Sequence, residues 1–374
     1  MKTFVIIGIG VLLITASFLK GKSRALTRLI YVYMFIVYTF CNGGTLDLET
    51  YKWTYAEQIN VSFKGFDSLM NVFSSLGVPF VVFKGFCGVF VLTFLSKAIK
   101  LFFEEENVVL ALCLIFPFFS GISQIKNGMA AALVLYAALK YVKDPKHRIF
   151  PFIIMILFAS LIHATALIYL IFVLAKKNFK EMKKTTIIIA VLLVVMVELI
   201  LTQNLAYNIA RVFIRNEYYL RWFDYEAAFA GRTDETLNFT GQIIPVIGQI
   251  MGFVLFKYLE RKGEMLSEGK GEKCPSKSGN YLSKEQVSMI GNMYLLLMFM
   301  IPFYQLSPTY FRIYKNVVPM MYIMASQFIG RSRHINLRIS RPILITIGLA
   351  LVAMMMTGRY QGSSTEMFES FSLW

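Results

Sequence analysis

Residues 149–175 read IFPFIIMILFASLIHATALIYLIFVLA, a run of 27 residues with no Asp, Glu, Lys or Arg and a single histidine, His163. As one helix, rising about 1.5 Å per residue, the run would be about 40 Å long, some 10 Å more than the hydrocarbon core of a bilayer. The flanks decide how it folds. Lys140 to Arg148 holds four basic residues and one acid, and Lys176 to Lys184 holds five basic residues and one acid. Lysine and arginine are retained on the cytoplasmic side, so both flanks belong there. An even number of crossings must then separate them. The run is predicted as two short helices that turn back near Leu161–Ala164, with His163 at the turn, close to the outer face. A non-helical turn at that depth is sustained only where protein or water surrounds it.

The same texture extends along the chain. Of 374 residues, 57% are hydrophobic and 16% charged, and the mean hydropathy is +0.60. Soluble domains have about 45–50% apolar and about 25% charged residues. A soluble enzyme, a disordered chain and a disulfide scaffold are excluded. The short alternating segments of a β-barrel are absent. Apolar runs fall near 3–19, 29–41, 79–99, 107–122, 125–141, 149–175, 185–203, 240–258, 287–306, 313–330 and 342–357. With the sixth run split, the fold class is all-α: one polytopic transmembrane domain over 1–374, about twelve helices crossing about 30 Å of hydrocarbon, both ends outside.

Charge tests this topology. The net charge is +16, which in a soluble protein would suggest nucleic acid. The inner segments (20–28, 97–106, 140–148, 176–184, 257–285 and 331–341) hold 26 basic and 10 acidic residues, against 12 and 12 elsewhere. The excess lies on one side, as the positive-inside rule requires, and no nucleic-acid partner is needed. Residues 3–19 read as the first span rather than a signal peptide, because Lys20-Gly21-Lys22-Ser23-Arg24 follows in place of a cleavage site. Loop 42–78 is an outer loop whose stretch Gly65 to Phe73 has helical apolar spacing, predicting a helix flat on the membrane. Loop 204–239 is a second outer loop, and 259–285 a solvated cytoplasmic linker.

Cys41, Cys87, Cys113 and Cys274 have no CxxC spacing and no histidine nearby, so neither zinc nor redox chemistry is supported. No GxxxxGK[ST], HExxH or GxSxG motif occurs, which sets aside an ATP-driven pump. The unusual residues are on the outer side. Arg211, Arg215 and Arg221 are spaced i, i+4 and i+10, within roughly a 120° arc of a helix. They read either as an anion site, since guanidinium forks match phosphate oxygens, or as a basic interfacial helix paired with Glu217, Asp224 and Glu226. Arg312 stands at the outer edge of a late span, as a snorkelling residue or a second anion contact. Lys126 lies one turn inside a span, where a charge usually faces the bundle interior. His163 is either a hydrogen-bonded core residue or a general base. Glu198 lies inside a span, as a relay residue or the partner of an interior cation.

These elements resemble the EpsG family of membrane polysaccharide polymerases, which are Wzy-type enzymes. Four elements carry the resemblance. The first is Asp47 and Tyr51 in an Asp-x-x-x-Tyr element, followed by Gly65-Phe66. The second is Ile125-Lys126-Asn127-Gly128-Met129-Ala130 at the start of a span. The third is Ala159 to His163, with Thr165, Ala166 and Leu167. The fourth is Arg312 and Tyr314 in an Arg-x-Tyr element. Lys126 and Asn127 depart from the arginine and glutamine usual in the family, and lysine keeps the charge without the bidentate fork.

The resemblance implies a GT-C-like, metal-independent glycosyltransferase without cofactor, in the bacterial inner membrane with its active site outside. It would join undecaprenyl-diphosphate-linked oligosaccharide units into O-antigen, capsule or exopolysaccharide, with a chain-length regulator protein as a partner. His163 would be the base, with Asp47 as the competing base. Lys126, Arg211, Arg215, Arg221 and Arg312 would hold the diphosphate. Tyr51, Gln124 and Tyr314 are the candidates for sugar contacts, and Tyr218 and Trp222 for packing on sugar faces. The rival readings are a flippase of the same lipid-linked oligosaccharide and an O-antigen ligase. A flippase would be expected to show two related halves, and none are visible.

Overall fold

The computed structural model describes residues 2–20, 23–41, 46–58, 64–102, 106–176, 282–303 and 310–330, with a few isolated positions between 192 and 256. Among the described residues every regular element is helical, as the composition requires. The chain begins with α1 (Lys2–Lys20) and α2 (Arg24–Phe40), then two shorter helices, α3 (Leu46–Glu57) and α4 (Lys64–Ser75). After α5 (Phe80–Lys100) comes α6 (Asn107–Cys113), continued by a π-type stretch Leu114–Phe118 and a single turn α7 (Phe119–Gly121). Then follow α8 (Ile125–Lys143), α9 (Ile149–Ile162), a 3-10 helix (Ala164–Lys176), α10 (Lys284–Leu297) and α11 (Phe311–Gly330). Apart from those isolated positions, the predicted runs at 185–203 and 240–258 and the loop 204–239 lie outside the described residues, and so do the run at 342–357 and nearly all of 259–285.

Helix α8 is the axis of the assembly. It packs against α5, α9 and α11. Its surface is rich in Gly128, Ala130, Ala131, Ala132, Ala137 and Ala138, and small side chains let helix backbones approach closely where no water drives association. Among the described residues, Phe80–Lys100 is the one helix both long and apolar enough to cross a membrane. Val5–Lys20, Asn107–Phe118, Ile149–Ile162 and Ala164–Ala175 are shorter apolar helices.

The run 149–175 breaks at His163, whose backbone is extended (φ −150°, ψ 117°). The Tyr141 ring, near the C-terminus of α8, stacks on Phe152 at 5.1 Å. Its hydroxyl donates to Val173 O at 3.4 Å. The start of α9 and the end of the 3-10 helix therefore lie side by side, and His163 is at the far end of a hairpin. The 3-10 geometry accounts for the economy of the return: rising about 2.0 Å per residue, its thirteen residues cover about 26 Å.

The helix expected over 65–73 exists as α4, but its apolar face is not given to lipid. Phe66 and Met70 are each 1% exposed, and the Phe66 and Phe73 rings meet Phe83 of α5 at 5.9 and 5.3 Å. At the start of α4, a Cβ on Gly65 would come within 2.4 Å of Leu161 O. Only glycine lets α4 sit this tightly on the end of α9, beside His163.

Candidate active site at the His163 end of the bundle

Five segments of the chain meet at this end. Asp47 and Tyr51 come from α3, Asp67 from α4, Lys126 from α8 and Arg312 from α11, with His163 at the α9 hairpin turn. Arg312 Nη2 donates to Asp47 Oδ2 at 3.2 Å. Lys126 Nζ lies 3.6 Å from Asp67 Oδ1, and also over the Tyr51 and Phe66 rings at 5.3 and 5.6 Å. Such cation–π contacts hold an ammonium while leaving its hydrogens directed elsewhere.

The placement of the cations works against local stability. Lys126 and Arg312 each stand in the first turn of a helix, where the dipole already puts positive potential. The carboxylates Asp47 and Asp67 relieve it. They occupy the first turns of α3 and α4, where the dipole favours negative charge. The result is a strongly electropositive corner with two counter-charges supplied by the chain.

His163 Nδ1 lies 2.7 Å from Thr165 Oγ1. Burial pushes the pKa of His163 down to about 4, and the charges of Arg312 and Lys126 push it the same way. The ring is a neutral imidazole at physiological pH, with one nitrogen protonated and one carrying a lone pair. Burial likewise raises the Tyr51 phenol above its usual value, so Tyr51 offers a hydroxyl rather than a phenolate.

Beneath this layer is a second polar layer, in which Lys315 Nζ donates to Gln124 Oε1 at 2.7 Å. Asn127 and Asn316 exchange reciprocal amide hydrogen bonds of 3.0 and 2.9 Å. A cavity of about 90 Å³ adjoins it, lined by Tyr38, Asn127, Lys315 and Asn316 at the polar side and by residues such as Leu95 and Leu135 elsewhere. Among the described residues no group of three His, Cys, Asp or Glu side chains is placed to hold a metal ion.

Of the residues singled out in the sequence, His163, Asp47, Tyr51, Lys126 and Arg312 are brought together. Two are placed differently. Tyr314 is 3% exposed and packs edge-on against Tyr294 of α10, ring centres 5.9 Å apart. The side chain following Arg312 by two positions turns into the core rather than toward a sugar. Gln124 is 3% exposed and occupied by Lys315, so its contact is internal. Arg211, Arg215, Arg221, Tyr218 and Trp222 lie outside the described residues. Asp67 and Lys315 were missed. Lys315 had a signal, because it follows Arg312 by three residues and so shares its face of α11. Asp67 had only its place in an amphipathic stretch, with nothing to single it out.

Comparison with known proteins gives one match: the model of the EpsG family aligns with residues 24–367. No curated protein and no solved structure matches.

Proposed function

The chain belongs to the EpsG family, and from that premise we propose that it is a polymerase of lipid-linked oligosaccharides. In this reading it crosses the cytoplasmic membrane in about twelve helices, with the His163 end facing outward. Its substrates are repeat units carried on undecaprenyl diphosphate. The observation that supports this best is the convergence of a neutral imidazole, two cations and two carboxylates from segments spanning residues 47 to 312.

The chemistry follows from what each group can do. A sugar hydroxyl of the acceptor attacks the anomeric carbon of the donor chain. The new carbon–oxygen bond forms as the bond to the diphosphate oxygen breaks, and the lipid diphosphate departs with the bonding pair. The proton of the attacking hydroxyl passes to His163 Nε2. That assignment needs Nδ1 to carry the other hydrogen and donate it to Thr165 Oγ1, which leaves the Nε2 lone pair free. Arg312 and Lys126 hold the diphosphate and offset the charge that develops on departure. Arg211, Arg215 and Arg221 are proposed to extend the same anion-binding surface.

The test is to express His163→Ala and Arg312→Ala in the producing strain and separate the surface polysaccharide on a gel. The ladder of chain lengths should reduce to single repeat units while the protein level in the membrane stays normal. Loss of surface units with lipid-linked units retained inside would favour the flippase reading. An unchanged ladder in both variants would overturn the assignment of this site.

A further inference from the structure

The two cations at the His163 end are not held alike. Lys126 is 14% exposed and its partner Asp67 only 2% exposed at the side chain. That pair is walled by Tyr51 and Phe66, and α4 is pressed on α9 at Gly65. Arg312 is 29% exposed and its partner Asp47 39% exposed. Among the described residues a single hydrogen bond of 3.2 Å joins them. A guanidinium fork has five donors and fits two oxygens of one group at once. Asp47 uses one of those donors, so Asp47–Arg312 is the pair open to solvent and to exchange, while Asp67–Lys126, 3.6 Å apart, is the pair shut away from it.

From this asymmetry we infer that Asp47 is a resident counter-anion, displaced from Arg312 by a phosphoryl group of the ligand. The inference rests on the anion-site reading above. Charge counting supports exchange rather than simple addition. Lys126 and Arg312 face Asp67 and Asp47, so the four charges cancel, with His163 neutral. A diphosphate carrying two negative charges would leave the buried cluster net negative, which is costly away from water. Asp47 is the carboxylate with a route to solvent, so turning it outward removes one of the two excess charges. A phosphoryl group offering two oxygens replaces a one-point contact with a two-point one. A neutral sugar hydroxyl lacks the charge to displace Asp47. Asp47 therefore sets ligand class as well as resting charge: it admits phosphoryl anions to Arg312 and keeps the fork covered otherwise. Once released, it stands beside the reacting centre as a free carboxylate.

The experiment measures binding of inorganic pyrophosphate to the full chain in lipid nanodiscs by calorimetric titration. Removing a competing anion that holds its partner as loosely as a partly exposed ion pair should tighten binding about fivefold. Asp47→Asn is expected to do so, although polymer assembly falls. Asp47→Glu keeps a carboxylate in reach and should bind as the unmodified protein does, which separates the effect from a damaged fold. Arg312→Ala should weaken binding. Pyrophosphate binding that is equal or weaker in Asp47→Asn, or undetectable in both, would overturn the exchange. If Asp47→Asn tightens binding while His163→Ala leaves the polysaccharide ladder intact, the exchange stands and the polymerase reading fails.

Discussion

The bundle has a polar cluster at each end, and they are built on opposite plans. At the end away from His163, Glu106 is fully buried. It accepts hydrogen bonds from Tyr31 and from Ser96 at 3.3 Å, and pairs with Lys100 at 3.4 Å. Its own N–H donates to Thr27 Oγ1 at 3.3 Å, and the next residue, Asn107, accepts from Ser23 N at 2.9 Å. Glu106 is the N-cap of α6, where the helix dipole favours a carboxylate. Every group there is used by a neighbour, and the cluster ties the α1–α2 junction to the end of α5 and the start of α6. At the His163 end, cations stand at helix N-termini against the dipole, one pair touches at a single point, and an imidazole is kept uncharged. The first cluster is complete within the chain. The second, in the proposed reading, is arranged to receive an anionic ligand.

The sharpest way to break that contrast is to disable each end and read both activity and stability. Arg312→Ala and His163→Ala should lower the rate of polymer assembly by about 10²–10³-fold, the usual cost of losing one group that stabilises a transition state. Arg312→Lys should fall between, since it keeps the charge but not the fork. Thermal unfolding of the purified protein should change little in these variants. Glu106→Leu should do the reverse. It strands the Tyr31 hydroxyl and costs about 1–3 kcal/mol of stability, while polymer made per folded molecule is unchanged. Loss of polymer in Glu106→Leu at normal stability would show that the Glu106 cluster is not merely structural.

The hairpin is a smaller lever on the same contrast. Gly65→Ala places a Cβ against Leu161 O at 2.4 Å, backbone that cannot swing aside. Relief requires α4 to move off α9, taking Asp67 from Lys126. A cost of about 1–3 kcal/mol in stability is expected from such overpacking. Polymer assembly should fall by about tenfold, because the site's geometry shifts with α4. A variant that loses stability alone would mean that α4 supports the fold without setting the position of Lys126.

What could be read in the sequence divides by range. The all-helical architecture and the break at His163 follow from local quantities: run length, the charge of the flanks, and one histidine amid apolar residues. The cations Lys126 and Arg312 were legible because a charge at the edge of an apolar run is costly wherever it points. Partnerships were not legible. Gln124 meets Lys315 across 191 positions and Asp47 meets Arg312 across 265, and nothing local marks either pair. The direction of a side chain on a buried helix was equally hidden. Tyr314 follows Arg312 by two positions, which on a helix turns the side chain by about 200°, here into the core. The pairing of Asn127 with Asn316 also gives a physical setting for Asn127, which departs from the residue usual in the resembled family: its amide is matched by a second amide across the helix interface.

The finest test concerns the proton. An ordinary histidine, with a pKa near 6.5, would be half charged at that pH, and a base of that kind would lose activity on mild acidification. His163 is held down to about 4, first by burial and then by Arg312 and Lys126. It should stay about nine-tenths neutral at pH 5, one unit above its pKa. Polymer assembly by purified protein should therefore be nearly flat from pH 7 to about 5.5, with the acid limb below that. The sign extends to variants. Removing the positive charge in Arg312→Ala lifts one cause of the depression, so the acid limb of its residual activity should move up. Thr165→Val, which deprives Nδ1 of its partner, should lower the rate at all pH values more than Thr165→Ser, which keeps the hydroxyl. A limb near 6.5 in the unmodified protein would mean that water reaches His163 during turnover. The neutral imidazole of the resting site would then not be the working base, and Asp47, freed from Arg312, would be the group left to take the proton.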